Sequence, residues 1–409
     1  MAKARPWRVC LTLGRRDLSG EDGHGPVATV SARRVGIIMN GVTGRMGRNQ
    51  HLERSIAAIR AEGGLPIGGE LVMPDPLLVG RDEGRLRALG EQFGISAITT
   101  DLDAALRDPD YPIYFDAQTT AGRERALSMA IEAGKDCYCE KPIATSSSLA
   151  LALATQAERA GVRNGVVQDK LFLPGLLKLA QVLESGALGE VLSASIDFGY
   201  WVFPDRIGAV QRPSWNYRAE DGGGIILDMF CHFRYLLDHL FGEVSALTAT
   251  AGTKIPVRVD EQLRPYQATA DDDAAALVEL RNGAIVTIHA SWCVRPYRDD
   301  LFVLKVDGSK ASAVADLRRC QLQPAEATPR FTWNPDLPQE LDPRSAWIDV
   351  PAREPVQNAF RYQWERFLAH VVAGEPFPWS LRDGARGVQF AELATESMAE
   401  RRWVEVPEL

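Results

Sequence analysis

A short apolar run, Val35-Gly36-Ile37-Ile38-Met39-Asn40, passes directly into Gly41-Val42-Thr43-Gly44-Arg45-Met46-Gly47 and then into a helical pattern through Leu52, Ile56 and Ile59. Strand, glycine turn and helix in that order leave few folds open. The run is short and unbroken, as a strand buried on both faces requires. Glycines let the chain turn tightly and approach a pyrophosphate, and a helix start offers it free N–H groups and a positive dipole end. The spacing is G-x-x-G-x-x-G, one residue longer at its first step than the common dinucleotide fingerprint. Gly41, Thr43, Gly44, Arg45, Met46 and Gly47 are the candidate cofactor cradle. A tight turn that holds no ligand is the plain alternative.

The alternation continues. Pro76 to Gly80 reads as a second strand, reached through a Gly/Pro-rich connection from Gly63 to Pro76, and Arg81 to Arg85 opens a helix through Leu86, Leu89 and Phe93. A strand around Ile98, a helix from Asp101, a strand from Pro112 to Asp116 and a helix from Ala121 to Ala133 follow. Such βαβα order predicts a parallel sheet covered on both faces. The tip of the second strand is where an acid would bind a ribose 2′-hydroxyl and where an arginine would suit a 2′-phosphate. It reads Gly80-Arg81, with Arg85 one turn on, which favours NADP over NAD. A fifth strand ends at Cys139, so Lys141 of Glu140-Lys141-Pro142 falls just beyond its carboxyl end, where open α/β sheets bind ligands. An ammonium there reaches both a cofactor ribose and a substrate hydroxyl, and Pro142 steers the lysine away from the helical region.

The chain has 409 residues, 45% hydrophobic and 24% charged, enough for two domains with separate cores. A net charge of -8 argues against nucleic acid as partner, and no apolar run approaches a membrane span. The six cysteines show no disulfide framework, which suits a cytoplasmic compartment. Residues 1–34 are rich in arginine without an apolar stretch or a periodic pattern, and are expected to form a loosely ordered extension.

After Pro142, a Ser146-capped helix, a strand at Gly165 to Val167 and a helix from Pro174 lead into longer strands from Val191 onward. Arg281-Asn282-Gly283 between alternating runs marks a hairpin. This half is expected to be α+β with an open, predominantly antiparallel sheet, one face free for a partner subunit. Two amphipathic helices, Gln357 to Val372 and Leu381 to Ala399, are expected to return over the domain junction. Within this half, Gly222-Gly223-Gly224 precedes a helix that carries Asp228 and His232 at i and i+4. A carboxylate one turn from an imidazole can hold its tautomer, and histidine is the side chain whose pKa starts nearest to what alcohol oxidation needs. His239 on the same face offers a metal pair with Asp228, but no third ligand stands at a recognisable spacing, so no metal is expected. Trp215 and Arg218, among the aromatics and donors between Phe198 and Asp221, suit a polyhydroxylated ring; core packing is the competing reading.

Taken together, Gly41 to Gly47 after the first strand, Glu140-Lys141-Pro142, and Gly222-Gly223-Gly224 with Asp228 and His232 resemble the glucose-fructose oxidoreductase and inositol 2-dehydrogenase (Gfo/Idh/MocA) family over roughly residues 35–400. The resemblance implies an NAD(P)-binding Rossmann domain, placed at 35–160, and a substrate-binding and oligomerising domain at 161–409, with homodimers or homotetramers built through the open sheet. It implies hydride transfer between a nicotinamide cofactor and a sugar, polyol or glycoside. Lys141 would contact nicotinamide ribose and substrate hydroxyl, Asp228 would bind substrate and support the histidine, and His232 would be the general acid/base. Glu140 joins the cofactor contacts, as do Gln118 and Thr119, which stand where such chains often carry a Thr-Pro-Asn-type loop. Dihydrodipicolinate reductases share similar glycine turns but carry a His-His pair absent here. Redox-assisted glycoside cleavage and a nicotinamide-sensing regulator are the other functions the family admits.

Overall fold

The computed structural model describes residues 32–207, 212–338, 341–353 and 358–409. The extension expected over residues 1–34 falls outside the described residues up to residue 31, and its last two arginines are already strand, since β1 spans Arg33–Asn40. From Val35 on, β1 is wholly buried, because both its neighbours and the helices on either face leave an unbroken apolar run no solvent side. Those neighbours are β3 (Glu70–Val79) and β5 (Ile113–Asp116), both parallel to it. The sheet continues through β6 (Asp136–Cys139) to β7 (Asn164–Val166), again in parallel.

Two expectations need correction here. The Gly63 to Pro76 connection is a hairpin, β2 (Leu65–Ile67) pairing antiparallel with the start of β3. Pro74 and Pro76 disguise it. They occupy the outer edge of β3 after the partners of β2 end at Val72 and before those of β4 (Ile98–Thr99) begin at Leu78, so no ladder needs their missing N–H groups. The parallel sheet also runs past the boundary expected at residue 160, because β7 adds a last strand beside β6.

Helices α1 (Gly47–Ala57, running on as Ala58–Ala61), α2 (Glu83–Phe93), α3 (Leu102–Arg107), α4 (Thr120–Glu132) and α5 (Ser147–Ala160) fill the crossovers. Serine 146 caps α5 by accepting from Leu149 N, as its sequence position predicts. After α6 (Pro174–Glu184) the second sheet opens with β8 (Val191–Gly199), and α7 (Cys231–Leu240) separates that strand from β9 (Val244–Gly252). A small ribbon, β10 (Val257–Val259) with β11 (Pro265–Gln267), precedes β12 (Asp273–Leu280) and β13 (Ile285–Ser291). The sheet is completed by β14 (Phe302–Gly308), β15 (Ala311–Ala315), β16 (Cys320–Pro324) and β17 (Ile348–Asp349), then by α8 (Ala359–Ala373), α9 (Leu381–Glu400) and β18 (Val404–Glu405). Its order is β17-β16-β15-β14-β8-β13-β12-β9-β18, and among the described strands only the β8–β13 pair is parallel. Gly283, at φ +87°, makes the turn between β12 and β13.

The last two helices close the junction. α9 lies against α5, α7 and β9, while α8 packs on α1. One hydrophobic cluster therefore runs from Ile37 and Phe115 of the first sheet through Trp364 and Phe367 of α8 to Phe230 and Val286 of the second half.

Candidate functional site

The glycine turn is shaped by contacts that forbid side chains at two positions. Gly41 has φ +83°, and a Cβ on it would lie 2.5 Å from the Ala117 carbonyl carbon; a Cβ on Gly47 would lie 2.5 Å from the Gly41 oxygen. Gly44 meets only that same oxygen, at 3.4 Å, and Thr43, Gly44 and Arg45 are exposed beside it with Met46 half-buried. The helix, whose first described bond here runs from Arg48 N to Gly44 O, thus opens directly beside a turn held free of side chains at Gly41 and Gly47, an arrangement that fits a pyrophosphate. Across the strand ends, Arg81 is exposed after Gly80, whereas the Asp82 carboxylate accepts from Arg85 N at 3.0 Å as the cap of α2 and pairs with Arg85 Nε at 3.4 Å. Gln118 is anchored by buried Asp116, its backbone N at 2.9 Å and its Nε2 at 2.8 Å from the two carboxylate oxygens. Thr119 stands exposed at the start of α4, its backbone oxygen accepting from Gly122 N and Arg123 N while its hydroxyl makes no cap bond, and Gln118 shares with Thr100 and Arg125 the wall of a cavity of about 460 Å³.

Glu140 does not face this concavity with a spare oxygen. His51 on α1 sits 2.9 Å from Glu140 Oε1, Lys141 N donates to Oε2 at 3.1 Å, and the Trp364 indole N–H donates to His51 Nδ1 at 3.0 Å. An indole N–H can only donate, so Nδ1 of His51 accepts and its Nε2–H points at the carboxylate. Burial raises the Glu140 carboxyl, but the hydrogen bond from His51 and the charges of Lys141 and Arg123 pull it below the ordinary value. Glu140 therefore fastens the lysine loop to the glycine-turn helix.

The Lys141–Pro142 peptide is cis, and Lys141 reaches across the junction to Asp228, Nζ lying 3.1 Å from its backbone oxygen and 3.2 Å from Oδ1. Arg212 donates to the other carboxylate oxygen at 2.5 Å while its guanidinium covers the Trp292 ring at 4.2 Å. Burial works against both charges of the lysine pair. The attraction wins: Asp228 is held far below the usual carboxylate range by Lys141 and Arg212, and Lys141 is raised by Asp228 and Glu140.

Asp228 is not the group that holds the His232 ring, contrary to the i, i+4 expectation. The turn before α7, Ile226–Phe230, is bonded i→i+5, so the side chains ahead of it are rotated relative to those behind. Asp228 accordingly meets Lys141 and Arg212, whereas His232 Nδ1 lies 2.7 Å from the Tyr235 hydroxyl and 3.9 Å from Asp169 Oδ1. Lys170 N donates to the same hydroxyl at 3.2 Å, and Lys170 Nζ sits 2.6 Å from Asp169 Oδ2. His232 is 4% exposed; burial, then Lys141 and Lys170, push its pKa well below the ordinary value, with Asp228 pulling the other way. Its imidazole is neutral at pH 7, with Nε2 as the nitrogen that bonds to no described residue.

The two expected substrate contacts are placed differently. Trp215 is 48% exposed, three residues from Arg212 in the same segment. Arg218 turns towards β11, its guanidinium over the Tyr266 ring at 4.4 Å and 3.8 Å from Asp221. His239 is half-buried near Trp379, and among the described residues no group of three or more His, Cys, Asp or Glu is placed to hold a metal ion. Sequence reading missed Arg212, Asp169 and Tyr235. A signal existed for Asp169, which follows the end of β7 as Lys141 follows the end of β6; Arg212 lies in irregular chain that no pattern marks.

Residues 35–168 match the family described as an oxidoreductase family with an NAD-binding Rossmann fold (GFO/IDH/MocA), and residues 176–314 match the GFO/IDH/MocA C-terminal domain. The chain is 46% identical over 380 residues to a D-xylose dehydrogenase from Paenarthrobacter nicotinovorans, covering 92% of this chain and 98% of that one. It is 28% identical to a D-apiose dehydrogenase from Paraburkholderia graminis, with 84% of each chain covered. A solved structure, levoglucosan dehydrogenase in complex with NADH and levoglucosan, shares the fold at a TM-score of 0.75 and 20% identity, covering 92% of this chain and 100% of that one.

Proposed function

Because the chain belongs to the GFO/IDH/MocA oxidoreductase family, we propose that this nicotinamide-dependent sugar dehydrogenase oxidises a hydroxyl of an aldopentose, D-xylose or a close relative, between Lys141 and His232. The observation that carries the reading is the cluster at the strand ends: a lysine held charged by Asp228, and beside it a buried histidine held neutral. When bound, the cofactor supplies the hydride acceptor; the chain's own groups handle the proton and the orientation. Nε2 of His232 takes the hydroxyl proton, which needs the unprotonated ring this site provides. Lys141 donates to the same substrate oxygen and stabilises the charge that develops there. Asp228 keeps Lys141 in place, and Arg212 on its other oxygen keeps Asp228 ionised. The relative that shares nearly half of its residues with this chain supports D-xylose as the first sugar to try.

Several finer readings accompany this one. Gly80, exposed Arg81 and an Asp82 already committed to Arg85 support NADP as the preferred cofactor. The outward face of the second sheet, with Leu277, Ile285, Thr287 and Lys305 exposed, supports a homodimer or homotetramer; sedimentation of a monomer at micromolar concentration would refute it. Five unpaired cysteines among the described residues suit the cytoplasm, and no described helix is long and apolar enough to cross a membrane.

A panel of pentoses, hexoses, polyols and glycosides read at the nicotinamide absorbance tests the function. D-xylose or a neighbouring pentose should give the highest kcat/KM. Release of an aglycone without net reduced nicotinamide would instead assign redox-assisted glycoside cleavage, and cofactor binding with no turnover would assign a sensor.

A further inference from the structure

The His232 ring meets Tyr235 and Asp169 rather than the Asp228 that the i, i+4 spacing points to, and Asp169 follows the last strand of the first sheet. We propose that Asp169 and Tyr235 are positioning residues that fix His232 as the Nδ1–H tautomer, leaving the Nε2 lone pair to face the substrate. This rests on His232 being the proton acceptor.

The Tyr235 oxygen has one hydrogen to give and two lone pairs to fill, and the Lys170 backbone N–H already uses one lone pair. Two arrangements remain for its 2.7 Å contact with His232 Nδ1. If the phenol donates, Nδ1 is the acceptor and the hydrogen sits on Nε2, where it blocks uptake of a proton from the substrate. If Nδ1–H donates to the phenol oxygen, Nε2 is free to accept. The charges around the ring decide between them. Lys141, Lys170 and Arg212 contribute positive charge, Asp228 negative charge from the substrate side, and Cys231 on the same helix stays a neutral thiol because burial raises it. Asp169 is 4% exposed, and its Oδ1, at 3.9 Å from Nδ1, is the carboxylate on the phenol side of the ring. Negative charge there favours a hydrogen on Nδ1 over one on Nε2, and it stabilises the imidazolium once the proton has arrived. Lys170 Nζ at 2.6 Å keeps Asp169 in place. Tyr235 itself stays a neutral phenol, its pKa raised well above the ordinary value by burial and by Asp169.

Oxidation of an alcohol gives up one proton from the hydroxyl and one hydride from its carbon. Only the proton passes to His232, so substitutions at Asp169 and Tyr235 should spare cofactor binding. Tyr235→Phe, which keeps the ring but offers Nδ1–H no acceptor, should lower kcat about 10- to 100-fold with the cofactor Kd unchanged. Asp169→Asn should lower kcat similarly and move the acid limb of the kcat/KM profile to lower pH, because imidazolium loses its nearest carboxylate on that side. A purely structural role would lower rate at every pH and leave the limb in place. Nitrogen NMR of ¹⁵N-histidine-labelled protein, with His232→Ala to assign the signal, reads the tautomer without turnover, and a hydrogen on Nδ1 is expected. A neutral His232 carrying its hydrogen on Nε2, or variants with kcat within twofold and an unmoved limb, would overturn the proposal while His232→Ala remains inactive. Near-normal turnover by His232→Ala would instead remove the proton-acceptor reading beneath it.

Discussion

On the Rossmann side of the proposed site, a ligand would meet backbone: the glycine turn of Gly41 to Gly47, the start of the helix after it, and a few exposed side chains. Where the two halves meet it would find charge, with Lys141, Asp228 and Arg212 locked together and His232 buried nearby. A backbone site is sensitive to what is added, since its shape is the absence of side chains, and indifferent to most of what is removed. A charged site is sensitive to what is removed, because the cluster leaves an unpaired ion when one member goes. The first kind binds a cofactor common to many dehydrogenases; the second must match one reaction.

Substitutions on each side test that contrast. The largest effect is expected from His232→Ala, which should lower the oxidation rate by roughly 10²- to 10⁴-fold while cofactor titration stays normal. In the unsubstituted enzyme, the neutral His232 predicts an acid limb of kcat/KM below pH 6.5, since the base form persists until the pH falls through its lowered pKa. Asp228→Asn comes next. It leaves Lys141 and Arg212 beside an uncharged amide and should cost on the order of 2–3 kcal/mol, seen as about a hundredfold loss of kcat/KM and a further downward shift of the acid limb. On the backbone side, Gly47→Ala places a methyl 2.5 Å from the Gly41 oxygen and should weaken cofactor binding about 10- to 100-fold, with kcat at saturation preserved. Equal losses in kcat and cofactor Kd for Gly47→Ala would collapse the distinction between the two sides. The smallest effect is Arg81→Ala, an exposed cation whose loss should weaken NADP about fivefold and leave NAD unchanged. Tighter NAD than NADP binding by the unsubstituted protein would overturn the cofactor preference.

The backbone side was the more legible in sequence, for the same physical reason that makes it generic. Gly41 to Gly47 is contiguous, its strand and helix flank it, and each glycine answers a local steric demand. Gly44 is the exception, meeting only the Gly41 oxygen at 3.4 Å. The alternating strands and the Asn282-Gly283 hairpin are likewise local signals. The β2–β3 hairpin was hidden by Pro74 and Pro76, harmless only because one stretch of strand edge happens to be unpaired. On the charged side, sequence showed Lys141, Asp228 and His232 but not how they pair. The i, i+4 inference assumed 3.6 residues per turn, and the i→i+5 turn at Ile226–Phe230 sends Asp228 to Lys141 and Arg212 instead. Pairings such as Asp169 with His232 depend on two domains meeting, which no local pattern encodes.

Trp364 and His51 share a hydrogen bond across 313 residues of chain. A ribosome adding 5–20 residues per second needs about 16–63 s to travel from one to the other. During that interval the first sheet and its glycine turn can form, but His51 has no indole donor to settle which of its nitrogens faces Glu140. The orientation of Glu140, and with it the backbone of Lys141, is completed only as α8 emerges. The earliest-made half of the chain waits on nearly its last helix before Glu140 and the Lys141 backbone are fixed, so a nascent chain stalled before α8 has its glycine turn but not its lysine loop in place.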